Sequence, residues 1–278
     1  MPELPEVRAQ AARLSDDYAG HLLAGFKPLS FTALKTFSPD PAVASGSEVR
    51  VIRSRGKHLL LEIGPVTFVV HLMQGGRLQP DPKQSAKPRG GLARWLFDDR
   101  DPILLTEAGH EHKAGVWVVE GDPETQDPIE GLGPEADAVD REQLASILRT
   151  DSGRLHGALR DQRKLAGLGR RLANEICHIA KISPFANTAK LTDDEIDRLH
   201  VAIDAAIAES LAYEAAQDHM TRSNDRPARV HHREGEACPE CGDVVRAVEY
   251  RAYTVNYCAT CQTNGKVLAD NTTSKFLK

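Results

Sequence analysis

The sequence contains no apolar run approaching the roughly 20 residues that a membrane-spanning helix needs, and no basic-then-apolar leader at its start. A cytoplasmic protein with no membrane partner is expected. Internal repeats and low-complexity tracts are also missing, which excludes solenoid and fibrous architectures. There is no basic excess: 40 Asp and Glu against 35 Lys and Arg leave a net charge of −5. That balance speaks mildly against nucleic acid as a partner, but phosphate is contacted by patches and not by totals. Three stretches are basic: Arg50, Arg53, Arg55 and Lys57; Arg160, Arg163, Lys164, Arg170 and Arg171; and Arg222, Arg226, Arg229 and Arg233 with His231 and His232. Acids gather elsewhere, between Glu120 and Glu142 and from Asp193 to Asp197. Singly, each basic run reads as a solvated face. Together they suit an acidic protein with one anion-binding side.

What is present fits an ordinary multi-domain protein. The 278 residues, 41% hydrophobic and 27% charged, allow two or three domains with their own cores. Leu4, Val7, Ala11 and Leu14 give a helical period from residue 3 to about 19. Short β-rich runs follow at 49–53, 58–62, 66–72, 94–97, 103–106 and 116–120, separated by Gly/Pro turns. Several such strands suggest a two-layer antiparallel sandwich. The Pro-, Gly- and acid-rich stretch from Gly121 to Ala136 reads as a linker. Helical patterns then occupy 141–149, 155–160, 170–180 and 193–213, the last opened by a capping box of Thr192 and Glu195. Residues 217–232 are polar without a period, so a mobile loop is expected.

Four of the five cysteines read Cys238-Pro-Glu-Cys241, sixteen residues, then Cys258-Ala-Thr-Cys261. Paired C-x2-C knuckles at this separation can set four thiolates around one Zn²⁺, and a reducing compartment disfavours disulfides. Four thiolates leave no open position, so the expected metal is structural. Val244–Tyr250 and Tyr253–Tyr257 have strand composition and would form a ribbon between the knuckles. Cys177, alone in a helical pattern, reads as a small core residue.

The first residues, Met1-Pro2-Glu3-Leu4-Pro5-Glu6-Val7, carry two readings. Once Met1 is removed, Pro2 presents a secondary amine beside the acid Glu3. Such an amine can attack a carbonyl or aldehyde carbon and form an iminium ion, whose charge lets bonds beta to it break. In the other reading, Pro in a first turn and acids near a helix N-terminus are good helix starters.

These pieces, in this order, resemble the formamidopyrimidine-DNA glycosylase / endonuclease VIII family of DNA repair enzymes. The resemblance rests on the first seven residues and on Arg55-Gly56-Lys57-His58-Leu59-Leu60, His71-Leu72 and Gly131-Leu132-Gly133-Pro134-Glu135. It rests further on Leu159-Arg160-Asp161-Gln162, on Ala166-Gly167-Leu168-Gly169 followed by Asn174-Glu175, and on the four cysteines ending Cys261-Gln262. It covers nearly the whole chain. It implies an α+β multi-domain fold: an N-terminal antiparallel β-sandwich with a leading helix over 1–125, a linker at 126–137, a helix–two-turn–helix DNA-binding domain over 138–231, and a β-ribbon zinc finger over 232–278. It further implies a monomeric, bacterial-type, nucleoid-associated repair enzyme. Its activity would be that of a bifunctional DNA glycosylase and abasic-site lyase, its cofactor one structural Zn²⁺ on Cys238, Cys241, Cys258 and Cys261. Its partner would be damaged double-stranded DNA, with abasic, single-stranded or bubble DNA as further substrates; the damaged base is flipped out for excision.

Mapped by that resemblance, Pro2 attacks the sugar C1′ and Glu3 moves protons as the sugar opens. Lys57 contacts phosphate and assists proton transfer, and Glu6 is a supporting carboxylate. Asn174, with the turn ending at Gly169, holds the phosphate of the damaged nucleotide. Three departures from the family pattern stand out. The arginine usual five residues before the third cysteine is Tyr253, with Arg251 two residues earlier as a substitute if the strand continues. The usual Arg-Phe wedge is replaced by His112-Lys113-Ala114-Gly115, which leaves Lys113 as a contact and Met73 or Gln74 as a plug. The asparagine usual after Gly169 is Arg170. They leave room for an alternative, a catalytically weak or inactive protein that binds damaged or abasic DNA, and for a protein-binding zinc-ribbon adaptor.

Overall fold

Leu4, Val7, Ala11 and Leu14, all fully buried, lie on the inner face of the first helix, α1 (Leu4–Tyr18). The computed structural model describes residues 1–109, 113–222, 224–251 and 253–268. These form two units, residues 1–132 with 214–221 and residues 133–213 with 222–278. Among the described residues no helix is long and apolar enough to cross a membrane.

The first unit is an antiparallel β-sandwich. Its strands are β1 (Leu23–Pro28), β2 (Val49–Arg55), β3 (His58–Ile63), β4 (Val66–His71), β5 (Gly76–Pro80), β6 (Gly91–Phe97), β7 (Ile103–Glu107) and β8 (Gly115–Glu120). They make two four-stranded sheets, in the orders β1-β6-β7-β5 and β2-β3-β4-β8. Phe26, Phe68 and Trp95 meet between the sheets at centroid distances of 5.0 to 5.9 Å. β1 and β5 are absent from the sequence expectation. Both are edge strands ending in proline; β1 is interrupted by Gly25 and β5 carries one aliphatic side chain, Leu78, so neither has a strong period. The expected linker also differs. Ile129 is 1% exposed and packs with Leu60, Val69 and Val119 on the outer face of the second sheet. That contact explains why β3 and β4 are apolar on both faces.

Register brings several loops to one end of the sandwich. Arg55 pairs with His58, His58 with His71, and His71 with Gly115, while Gly76 pairs with Glu107 on the other sheet. The turns 56–57 and 72–75, with residues 108–109 and 113–114 beside the ends of β7 and β8, therefore share that end. α1 runs antiparallel to β2, because Gly20 N–H bonds Val49 O and Ser15 Oγ accepts from Ile52 N–H. Its N-terminus points toward the same end.

The second unit holds α2 (Arg141–Thr150), α3 (Leu155–Arg160), α4 (Arg170–Ile179), most of α5 (Asp193–Ala215), the ribbon strands β9 (Val245–Glu249) and β10 (Thr254–Cys258), and α6 (Ala259–Thr263). The Thr192–Glu195 capping box is present in both directions. α4 is the spine of this unit and is buried from Arg171 to His178. Cys177 is fully buried in it, as expected for a core residue. Its polar side chains tie down residues 226–231 of the stretch 217–232 expected to be a mobile loop. Glu175 accepts the backbone N–H groups of Arg229, Val230 and His231 at 2.7 to 3.0 Å, and Arg171 donates to the carbonyls of Arg226 and Pro227. A segment without period is thus fixed by hydrogen bonds that a hydrophobicity pattern does not display.

At the shared end of the sandwich His58 and His71 lie with ring centroids 4.6 Å apart. Burial, then the neighbouring His71, pushes His58 down to about 3; burial, then the Lys57 ammonium, lowers His71 to about 4. Both rings are neutral in the folded state at neutral pH. As pH falls below about 6.5, the unfolded chain takes up protons that the folded chain refuses, so stability drops by about 1.4 kcal/mol per pH unit for each such histidine. His58→Phe, which keeps a ring against His71, should lose less stability than wild type between pH 7 and pH 4.5. Urea denaturation at the two pH values measures this, and equal losses would refute it.

Candidate functional site

The first turn of α1 is closed by two carboxylates. Glu3 is the N-cap residue; its N–H donates to Glu6 Oε2 at 2.9 Å while its own side chain accepts from the backbone of Glu6. Both are buried, at 5% and 3% exposure. The positive end of the helix dipole favours negative charge here. Pro2 is buried just before them and Met1 is 43% exposed. With Met1 attached, the Pro2 nitrogen is an amide; only a chain beginning at Pro2 offers a nucleophilic amine.

Lys57 occupies the two-residue turn between β2 and β3, which Gly56 enters at φ 55. A positive φ at the first central position of such a turn is glycine's conformation. The Lys57 ammonium lies near enough to His71 to help keep that ring neutral. His71 Nδ1 accepts the N–H of Met73 at 3.1 Å, which leaves Nε2 to carry the ring proton. This bond holds Met73 at φ 52. His71 entered the sequence analysis only as a motif letter; a histidine ending a strand two residues before the loop was the available signal. The 72–75 loop is tight: Gly76 N–H donates to Leu72 O at 2.8 Å, and a Cβ on Gly76 would lie 2.2 Å from that oxygen.

Of the two plug residues, Met73 packs against the sandwich core and Gln74 is exposed. Lys113 is exposed, beside buried Ala114, whose N–H donates to Glu107 Oε2 at 2.7 Å. His112 lies outside the described residues. A residue absent from the sequence reading, Phe31, is fully exposed at this end, in the segment where Ser30 N–H bonds Leu92 O and Val116 N–H bonds Ala33 O.

In the second unit Gln162 clamps the turn before α4, accepting from Gly167 N–H and donating to Leu168 O. Gly169 is the N-cap of α4 and Arg170, half-buried, its first residue. Asn174 corrects an expectation: it is 0% exposed, and its Nδ2 faces His231 Nδ1 at 2.9 Å. Lying in the second turn of α4 and buried all round, it braces the 226–232 segment and does not present its amide to a phosphate. Arg251 is a second correction. Tyr250 N–H bonds Tyr253 O at 2.9 Å, so Arg251 is exposed in the ribbon's turn and not on a strand face shared with Tyr253.

The sulfur atoms of Cys238, Cys241, Cys258 and Cys261 all lie within 4.8 Å of one another. Tetrahedral Zn–S bonds of about 2.3 Å require S···S separations of about 3.8 Å; Cys238–Cys261 is 3.9 Å and Cys241–Cys258 is 3.4 Å. The donor set fits such an ion. His178 of α4 places Nε2 3.3 Å from Cys238 Sγ, the kind of outer contact that orients a metal ligand.

Residues 1–108 match the formamidopyrimidine-DNA glycosylase N-terminal domain, and residues 131–221 match the formamidopyrimidine-DNA glycosylase H2TH domain. An uncharacterized formamidopyrimidine-DNA glycosylase-like protein of Mycobacterium tuberculosis is 39% identical over 149 residues, covering 53% of this chain and 94% of that protein. The formamidopyrimidine-DNA glycosylase of Chloroflexus aurantiacus is 28% identical over 283 residues, covering 94% of this chain and 98% of its own. The MutM (Fpg) protein of Thermus thermophilus superposes with a TM-score of 0.81 at 26% identity, over 94% of this chain and 98% of that one. The Lactococcus lactis Fpg in complex with abasic-site DNA gives 0.83 at 20% identity, over 94% and 99%, a likeness of fold. The chain belongs to the formamidopyrimidine-DNA glycosylase family.

Proposed function

We propose that this protein excises damaged bases from duplex DNA and then nicks the strand, using Pro2 as nucleophile. The observation that carries this reading is the register that gathers the α1 N-terminus, the Lys57 turn and the 72–75 loop at one end of the sandwich. A second support is chemical. Glutamate is not among the favoured N-cap residues, whose shorter side chains reach the first-turn N–H groups better. A buried glutamate at that position is kept for something besides capping.

In the proposed reaction the Pro2 lone pair forms a bond to C1′ and the C1′–N glycosidic bond breaks, the electron pair leaving with the protonated base. Glu3 supplies the proton that opens the sugar ring at its oxygen. The iminium ion acidifies C2′; loss of that proton expels the 3′ phosphate by β-elimination, and a further elimination can release the 5′ phosphate. Hydrolysis then returns the Pro2 amine. An α-amino group with a pKa near about 8 is partly neutral at pH 7, as a nucleophile must be. Lys57, with His71 beside it, serves the phosphates. Gly169 and Arg170 do so at the start of α4, and Gln74 and Lys113 meet the gap left by the flipped base.

We assign Zn²⁺ to the four thiolates, with no open ligand position and a purely structural role. Chelation should release one zinc per chain, loosen the β9–β10 ribbon and abolish DNA affinity, with zinc release followed by a colorimetric indicator. Retained binding in the zinc-free protein would contradict the assignment.

Borohydride should trap a covalent complex between the chain processed to Pro2 and a duplex carrying an abasic site. Pro2→Gly should lower trapping severely, and a chain retaining Met1 should trap nothing. A processed chain that binds abasic DNA but never becomes trapped would instead identify a damage-binding protein without catalysis.

A further inference from the structure

α3 ends at Arg160, and its guanidinium carbon stands 4.3 Å from the centroid of the Tyr253 ring. Tyr253 is stacked on Tyr250 at 4.7 Å and 11°, and lies parallel to His156 at 6.1 Å and 13°. Most other cations of the three basic stretches are engaged. Arg50 and Arg53 bind Glu62, and Arg55 binds Glu124. Lys164 binds Asp151, Arg229 binds Glu209 and Arg233 binds Glu236. Arg160 differs. Among the described residues its guanidinium has no ion pair and donates no hydrogen bond; the aromatic face is what holds it.

Stacking fixes a guanidinium's plane and leaves its edge N–H groups to point outward, in the fork that matches phosphate oxygens. His156 is 3% exposed and its Nε2 has no hydrogen-bond partner. Burial first, and the charges of Arg160 and Arg170 after it, hold His156 down to about 3. Two guanidinium groups thus flank one neutral ring at the start of a ten-residue helix, whose dipole adds further positive potential. This arrangement calls for an anion.

We propose that Arg160, held over the Tyr253 ring, is the guanidinium with which this unit grips a phosphodiester of its nucleic acid. Tyr253 then acts as a platform for a cation supplied by α3, and the finger needs no arginine of its own. The inference rests on the DNA-binding reading above.

Affinity of the full chain for a duplex containing a tetrahydrofuran abasic analogue, measured across a range of salt concentrations, tests it. Arg160→Gln should weaken binding about tenfold and reduce the slope of log affinity against log salt by about 0.9, the loss of one phosphate contact. Tyr253→Phe, which keeps the ring, should bind like wild type, and Tyr253→Leu should bind more weakly. An unchanged slope in Arg160→Gln overturns the proposal. So does a Tyr253→Phe variant as weak as Tyr253→Leu, or a slope lost on Arg251→Gln instead. If the wild-type chain binds no DNA, the functional reading fails along with it. Normal trapping with an unchanged Arg160→Gln slope sinks this inference alone.

Discussion

The reciprocal capping between Glu3 and Glu6 is the interaction on which the site depends. Chain termini are ordinarily the least constrained part of a fold. Here two buried carboxylates close the first turn of α1, and the aliphatic face of that helix is sunk into the sandwich. The position of residue 2 is therefore set by the whole core and not by its own contacts. Precise placement matters because a nucleophile displaced by an ångström loses much of the advantage of being held near its target. On the proposed mechanism, the same turn sets two carboxyl groups beside the nitrogen that would become cationic.

The second unit is organised on a different principle. Its spine, α4, buries Arg171, Asn174, Glu175 and His178, each of which has a polar partner on the 226–231 segment or the cysteine knuckle. Unpaired, these groups would each cost on the order of 1–3 kcal/mol; paired, they hold residues 226–231 against α4. The price of such a network is that every member must stay satisfied. It also accounts for where free cation remains, because side chains spent on internal pairing are withdrawn from the surface.

Much of this was legible in the sequence. The 3.6-residue period of α1, the short apolar runs of β3 and β4, the Thr192–Glu195 box and the spacing of the four cysteines each reflect a local rule that the fold obeys. What escaped was set by tertiary contacts. β1 and β5 exist because β6 and β7 offer them hydrogen bonds. Ile129 belongs to a core in a stretch whose composition reads as linker. At the candidate site, motifs supplied Pro2, Glu3, Glu6 and Lys57 as candidates for the proposed chemistry; they could not show that Asn174 is buried or that Arg251 is a turn residue. Arg160 was legible only as one charge in a basic run, since its meaning comes from a ring almost a hundred positions away.

The central claim is that the amine of residue 2 is the group that joins the protein to an opened deoxyribose. Mass spectrometry of the N-terminal peptide, after reduction of the complex with abasic DNA and digestion, tests it most directly. The account predicts the reduced sugar adduct on the nitrogen of Pro2. An adduct on the Nζ of Lys57 or of Lys113, two lysines at that end of the sandwich, would contradict it.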